Sequence, residues 1–385
     1  MRSLDDRRFR ASPELEAVAV GDLPADHRSS VRSNAGGGVW AVLRRRDTGD
    51  YAAGLDHQTA VLFCSLFEPQ TPPASLARLP LRRRGRLLAR LVCDEVLQIE
   101  SADGSFVAGV LAYGDLFGDG LPPEADAHRQ LDPLSRSALA HVLALPPLPG
   151  AALARRLYAF NATPRTRRWE EMRDRHGAVD RWLGLDPPSP WRSKLLESHA
   201  EHRSAGDDSR WLQWTRRDLD PRTIVRHKLY VCPASARLPE AMPRVAEVCR
   251  ALDVPAFKVG TTLPGILRPD KLVVYVRDEP GLWQVAGELS AALEGIEAQG
   301  VPFTAPIDST GLLSWAVDPE AHALLGPDDQ PWSWRTAVVG RLADAISGAT
   351  GKAGDAVVAN FALERLRLEG IEPIGWRPGE DWSSP

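Results

Sequence analysis

Between residues 224 and 306, short β-branched runs alternate with amphipathic helical stretches, and nothing else in this chain restricts its fold so tightly. The run Ile224-Val225-Arg226-His227-Lys228-Leu229-Tyr230-Val231-Cys232 reads as a strand from its β-branched and aromatic content. Residues 239–252 follow as a helix, with Met242, Val245, Cys249 and Leu252 on its inward side. Residues 255–260 and 271–277 are two further strands, separated by a loop that carries Arg268 and Asp270. A helix bearing Leu282, Val285, Leu289 and Leu293 comes next, and residues 301–306 form a last extended run. The order β-α-β-β-α-β predicts an α/β sandwich with a central mixed sheet.

Two lysines stand inside these apolar strands. Side chains alternate across a strand, so Lys228 shares a face with Arg226 and Tyr230, while His227 points the other way. Lys258 sits between Phe257 and Val259. Lysine is seldom buried unless it is paired or used. Of the 47 basic residues only five are lysine, so lysine rather than arginine at these positions carries weight. Burial and cationic neighbours can strip a proton from lysine, which arginine does not give up. The plainer reading is an edge strand whose lysines face water and discourage aggregation.

The rest of the chain sets the context. A length of 385 residues calls for more than one core, and a net charge of −4 favours neither a nucleic-acid coat nor an acidic tail. Cys64, Cys93, Cys232 and Cys249 form no C-x-x-C pair and have no adjacent His, so neither a disulfide framework nor a metal site is expected, and no cofactor is required. No apolar run approaches the ~18 residues of a membrane span. The charged start lacks the apolar stretch of a signal peptide, so a cytoplasmic protein without membrane contact is expected.

The fold class expected is α+β, in four parts. Residues 1–38 read as a flexible leader with one strand near 17–20. Residues 39–115 read as a winged-helix-like domain: Asp56 caps a first helix, a second lies near 75–79, and a third spans 84–94. A hairpin turning at Ala102-Asp103-Gly104 follows. Arg82, Arg83, Arg84, Arg86 and Arg90 around the third helix leave three readings open: solvated charge, peptide binding, or nucleic-acid binding. The peptide reading resembles PqqD-like recognition elements, which hold a leader peptide along a strand edge. Residues 116–220 read as a connecting helical, Trp-rich segment that wraps the later domain, and 221–385 as the α/β domain.

The runs His227-Lys228-Leu229-Tyr230-Val231, Phe257-Lys258-Val259, Asp270-Lys271-Leu272-Val273-Val274-Tyr275 and Pro302-Phe303-Thr304 resemble the HopA-type effector family and its relatives in bacterial peptide biosynthesis. So do Gly311-Leu312-Leu313-Ser314-Trp315, Asp318-Pro319 and Ser333-Trp334-Arg335, and together they cover roughly residues 220–378. Members associated with class V lanthipeptides and thioamitides are similar to phosphothreonine lyases. The resemblance therefore implies elimination of phosphate from a phosphorylated Ser or Thr of a precursor peptide, with a kinase and a second modifying enzyme as partners.

Such chemistry needs a base for the α-proton, a cationic clamp on the leaving phosphate and a donor to the leaving oxygen. Lys258 or Lys228 could be the base, and His227 or Tyr230 the donor. Arg226, Arg268, Lys271, Arg277 and Arg335 could form the clamp, where a bidentate guanidinium is well suited. Two alternatives stay open. One is a metal-free cyclase adding Cys thiols to dehydroamino acids, with His227, Tyr230 or Asp308 near the base. The other is a non-catalytic peptide-binding partner of a modifying enzyme.

Overall fold

The computed structural model describes residues 4–25, 38–118, 127–173, 177–186, 189–203, 211–220, 223, 225–319 and 333–379. Strands β1 (Phe9–Ala11) and β2 (Leu15–Ala19) are already built into sheets, and Leu4 and Phe9 are buried. Residues 4–25 are therefore not the loose leader expected over 1–38. Phe9 pairs with Ile99, and burying both apolar side chains fixes this segment.

β2 continues into an antiparallel meander with β3 (Ala41–Arg45) and β4 (Tyr51–Leu55). Helix α1 (His57–Ser65) starts at the expected cap, where Asp56 accepts a hydrogen bond from the Thr59 amide at 2.7 Å. A 3-10 turn (Ala74–Arg78), helix α2 (Leu81–Cys93) and the hairpin β5 (Leu97–Glu100) with β6 (Phe106–Val107) follow, and β1 joins that hairpin. The middle helix of the expected trio is thus a 3-10 turn, and the strand expected near 17–20 opens the meander that precedes it.

Helices α3 (Tyr113–Phe117), α4 (Pro133–Leu143), α5 (Gly150–Ala159), α6 (Arg167–Arg173), α7 (Ala178–Trp182) and α8 (Pro190–Ser198) lead to the large sheet. The end of this stretch is more than a connector. It supplies the strands β7 (His199–Arg203) and β8 (Trp211–Arg216), and Trp214 stacks on Phe257 with ring centroids 4.8 Å apart.

The chain then runs through β9 (His227–Val231), α9 (Leu238–Ala251), β10 (Ala256–Gly260), α10 (Leu263–Leu267), β11 (Leu272–Val276), α11 (Glu279–Ala292), β12 (Ala305–Pro306) and β13 (Leu313–Val317). Seven strands pair in the order β12-β13-β9-β11-β10-β8-β7, and every pairing is antiparallel, which corrects the mixed sheet expected. The reason is topological. β9 and β10 run the same way through the α9 crossover, but β11 inserts between them; β9 likewise separates β11 from β13.

One face of the sheet (Leu229, Val231, Phe257, Val259 and Val274) is buried with residues of α9 and α11. The other face meets helix α12 (Trp334–Ala349), helix α13 (Asp355–Leu368) and the N-terminal half, whose core includes Tyr230, Val273 and Ala316.

Gly260 fixes how the chain leaves β10. A Cβ built there would lie 2.6 Å from the carbonyl carbon and oxygen of Gly265 in α10, the helix that Arg268 directly follows. Gly260→Ala is expected to destabilise the protein by about 1–3 kcal/mol in urea unfolding, as overpacking does. Gly287→Ala, in open space on α11, should be neutral or stabilising by roughly 0.5–1 kcal/mol.

Candidate active site

The register of the sheet decides which predicted residues meet. Lys258 lies opposite Gln213 and Val273, Val273 opposite Tyr230, and Tyr230 opposite Ser314. One row along, Ala256 faces Tyr275, Tyr275 faces Lys228, and Lys228 faces Ala316. Residues directly opposite share a face, so Lys228, Tyr230, Lys258 and Tyr275 project together toward α12.

Cations and aromatic rings alternate on this face. The Lys228 Nζ lies 5.1 Å from the Tyr275 ring centroid, and the Lys258 Nζ lies 5.5 Å from the same ring and 4.6 Å from Trp211. The Arg268 guanidinium is 5.0 Å from Trp211 and 5.1 Å from Tyr158, and the Arg335 guanidinium is 4.4 Å from Tyr158. Each ring offers its electron-rich face to a cation on either side, which makes the gathering of like charge tolerable.

Two carboxylates complete the array. Asp270 accepts from Arg268 Nη2 at 2.9 Å and from the Tyr158 hydroxyl at 2.8 Å, and its Oδ2 lies 3.0 Å from Arg335 Nη1. Burial alone would raise the Asp270 carboxyl, but the Arg335 and Arg268 charges outweigh it and hold it well below the usual carboxylate range. Asp318, just past β13, pairs with Lys228 and accepts from the Trp334 amide at 2.9 Å. That bond ties the sheet to the first turn of α12, which Ser333 caps and from which Arg335 projects.

Arg335 is wholly buried; its Nη1 is ion-paired with Asp270 without hydrogen-bond geometry, and its Nε makes no hydrogen bond within the described protein. A buried guanidinium with an idle donor is costly unless a further acceptor comes to it. Lys258 forms no ion pair with a described carboxylate, whereas Lys228 is held by Asp318. Burial, and then the Asp318 charge, push the Tyr230 hydroxyl well above its ordinary range and keep it protonated. Burial and the Asp270 charge push Tyr158 up to about 12.

The other predicted residues lie elsewhere. His227 is on the opposite face with Leu229 and Val231, where burial pulls its pKa down and the nearby Glu279 opposes it. Lys271 is fully buried and donates to the Pro233 carbonyl at 2.9 Å and to Gln299 Oε1 at 2.6 Å, so its ammonium is committed within the protein. Arg226 donates through Nε to the Asp318 carbonyl at 2.9 Å, and Arg277 is exposed beyond the end of β11. Asp308 organises its own loop, accepting from the Thr310, Gly311 and Leu313 amides.

No family model matches the sequence, and no curated protein matches it. Among solved structures, an effector protein from Pseudomonas syringae pv. syringae strain 61 is 15% identical with a TM-score of 0.38, covering 66% of this chain and 96% of that one. An effector from Pseudomonas syringae pv. tomato strain DC3000 is 11% identical with a TM-score of 0.37, covering 66% and 98%. The type III effector and phosphothreonine lyase OspF from Shigella flexneri is 13% identical with a TM-score of 0.28, covering 36% and 86%. With TM-scores this low, activity has to be read from the side chains themselves.

Sequence reasoning missed Trp211, Tyr158, Tyr275, Asp270 and Asp318 as members of the site. Tyr275 and Asp270 had a signal, since both stand in the run that includes Lys271. Tyr158 and Trp211 come from the supposed connector and become neighbours only through tertiary packing.

Asp270→Asn would leave Arg268 and Arg335 facing each other without their shared counter-charge. We expect a loss of about 3–5 kcal/mol in urea unfolding at pH 7. Because the folded carboxyl is depressed, its stabilisation is present above the unfolded value near 3.9 and is lost as pH falls below it. The natural protein should therefore weaken steeply below about pH 4, and the Asn variant less so.

Proposed function

We propose that this chain is a lyase that eliminates phosphate from phosphorylated Ser or Thr in a peptide, leaving a dehydroamino acid. The observation that carries this reading is a charge count. Among the described residues, Lys228, Arg268 and Arg335 face Asp270 and Asp318, which leaves a surplus of one positive charge with Lys258 as the neutral amine and of two with Lys258 protonated. A phosphate monoester carries about −1.5 to −2 at neutral pH and supplies an acceptor oxygen for the Arg335 Nε, which has none among the described residues.

Roles follow from the pairings. Lys258, without a carboxylate partner, is the base that takes the Cα proton. The freed electron pair forms the Cα–Cβ double bond as the Cβ–O bond breaks, and the phosphate departs with its bridging oxygen. Arg268 and Arg335 hold the phosphate oxygens, where fork geometry and low dielectric make each bond strong. Tyr230, kept protonated, gives its proton to the leaving oxygen, and Lys258 returns the abstracted proton to restore the pair. Lys228, fixed by Asp318, adds positive charge without serving as a base. A cyclase joining a neutral thiol to an alkene would have no use for the two guanidiniums.

The setting we infer is the modification of a ribosomally made precursor peptide, with the leader held by the N-terminal half while the core reaches the sheet. The 420 Å³ cavity between β4, α2 and α12, lined by Gly54, Leu55, Arg90 and Asp344, supports that division of labour.

The test is incubation with a phosphothreonine peptide and mass spectrometry for loss of the elements of phosphoric acid. Lys258→Met is expected to lower the rate by about 10²–10⁴-fold with little change in peptide affinity. Arg335→Lys should cost about 10²–10³-fold, because one amine cannot replace the guanidinium fork. Unchanged rates in both variants would remove the proposed site.

A further inference from the structure

A second basic surface runs along α2. The groove encloses about 510 Å³. Half-buried Leu79 and Leu87 and buried Leu368 supply its apolar part, and exposed Arg82, Arg83 and Arg90 its charge. Arg83, Leu87 and Arg90 recur at i, i+4 and i+7 on α2 and so form one stripe in which two cations flank an aliphatic side chain.

The wall of the groove is built rather than incidental. Arg86 donates through Nε to the Leu368 carbonyl at 2.6 Å and through Nη2 to the Arg367 carbonyl at 3.1 Å, closing the C-terminal end of α13 against α2. Glu369 is the one acid among the lining residues, and it is already paired with Arg341. Burial first, and then the nearby Arg365 and Arg90 charges, pull Arg341 down.

We propose that this groove docks an acidic peptide segment in which carboxylates flank an aliphatic residue. Charge complementarity selects the sign of the occupant, and the interleaved leucines select a peptide over a phosphate backbone. A duplex is disfavoured because a recognition helix must protrude into the major groove, whereas the middle of α2 is locked against the end of α13 through Arg86. If the chain acts on a precursor peptide, the groove would tether that substrate at a distance. That clause rests on the proposed activity, but the binding does not.

The experiment is fluorescence anisotropy on the full chain with a short fluorescein-labelled peptide of repeating Glu-Leu-Glu-Glu. A Lys-Leu-Lys-Lys peptide and a duplex DNA oligomer serve as comparison probes. The acidic peptide is expected to bind saturably, and the Arg83→Glu/Arg90→Glu variant to bind it at least about tenfold more weakly. Arg83→Gln/Arg90→Gln should weaken it less, and thermal melting should show both variants folded, since surface substitutions rarely destabilise. Absence of saturable binding, equal affinity in the Glu variant, or tighter binding of DNA would overturn the proposal. Binding retained without any phosphate elimination would support the groove and count against the activity.

Discussion

Gathering like charges inside a protein is unfavourable, yet Lys228 and Lys258 on one face of the seven-stranded sheet meet Arg268 from the end of α10 and Arg335 from α12. Two devices make this possible. Tyr275, Trp211 and Tyr158 stand between successive cations and present π-faces to them. Asp270 is shared by two guanidiniums, and Asp318 by an ammonium and a helix amide. Among the described residues neutralisation is incomplete. A structural ion-pair network gains nothing from unpaired positive charge, whereas a site for an anion uses it.

The same pairings sort the cations by task. Asp318 is ion-paired with Lys228, and the buried Lys271 is committed to a carbonyl and an amide oxygen. Lys258 is half-buried beside aromatic rings and forms no ion pair with a described carboxylate, and the proposed mechanism gives it the role of base. Remote packing fixes where these groups point. Gly260 lets α10 close on β10 and aims Arg268, while Ser333 and Asp318 set the first turn of α12 and aim Arg335.

Much of this core was legible in the sequence because local pattern and tertiary role agree there. Period-2 alternation in His227–Val231 put Lys228 and Tyr230 on one face and His227 on the other, and the structure keeps that division. Strand direction was not legible. The pattern contains two helical crossovers, but it does not say that an antiparallel strand would enter each of them. Lys271 misled for a related reason, since its partners Pro233 and Gln299 are brought to it only by loop closure. The segment 116–220 hid the most, because Tyr158 and Trp211 resemble ordinary packing aromatics until the fold sets them between cations.

The origin of the phosphate oxygens released from a phosphothreonine peptide in oxygen-18 water tests the account most directly. Cleavage of the Cβ–O bond predicts inorganic phosphate without any solvent oxygen, together with an alkene on the peptide. Phosphate carrying one solvent oxygen, with threonine restored, would mean that water attacks phosphorus and that no base acts at the α-carbon.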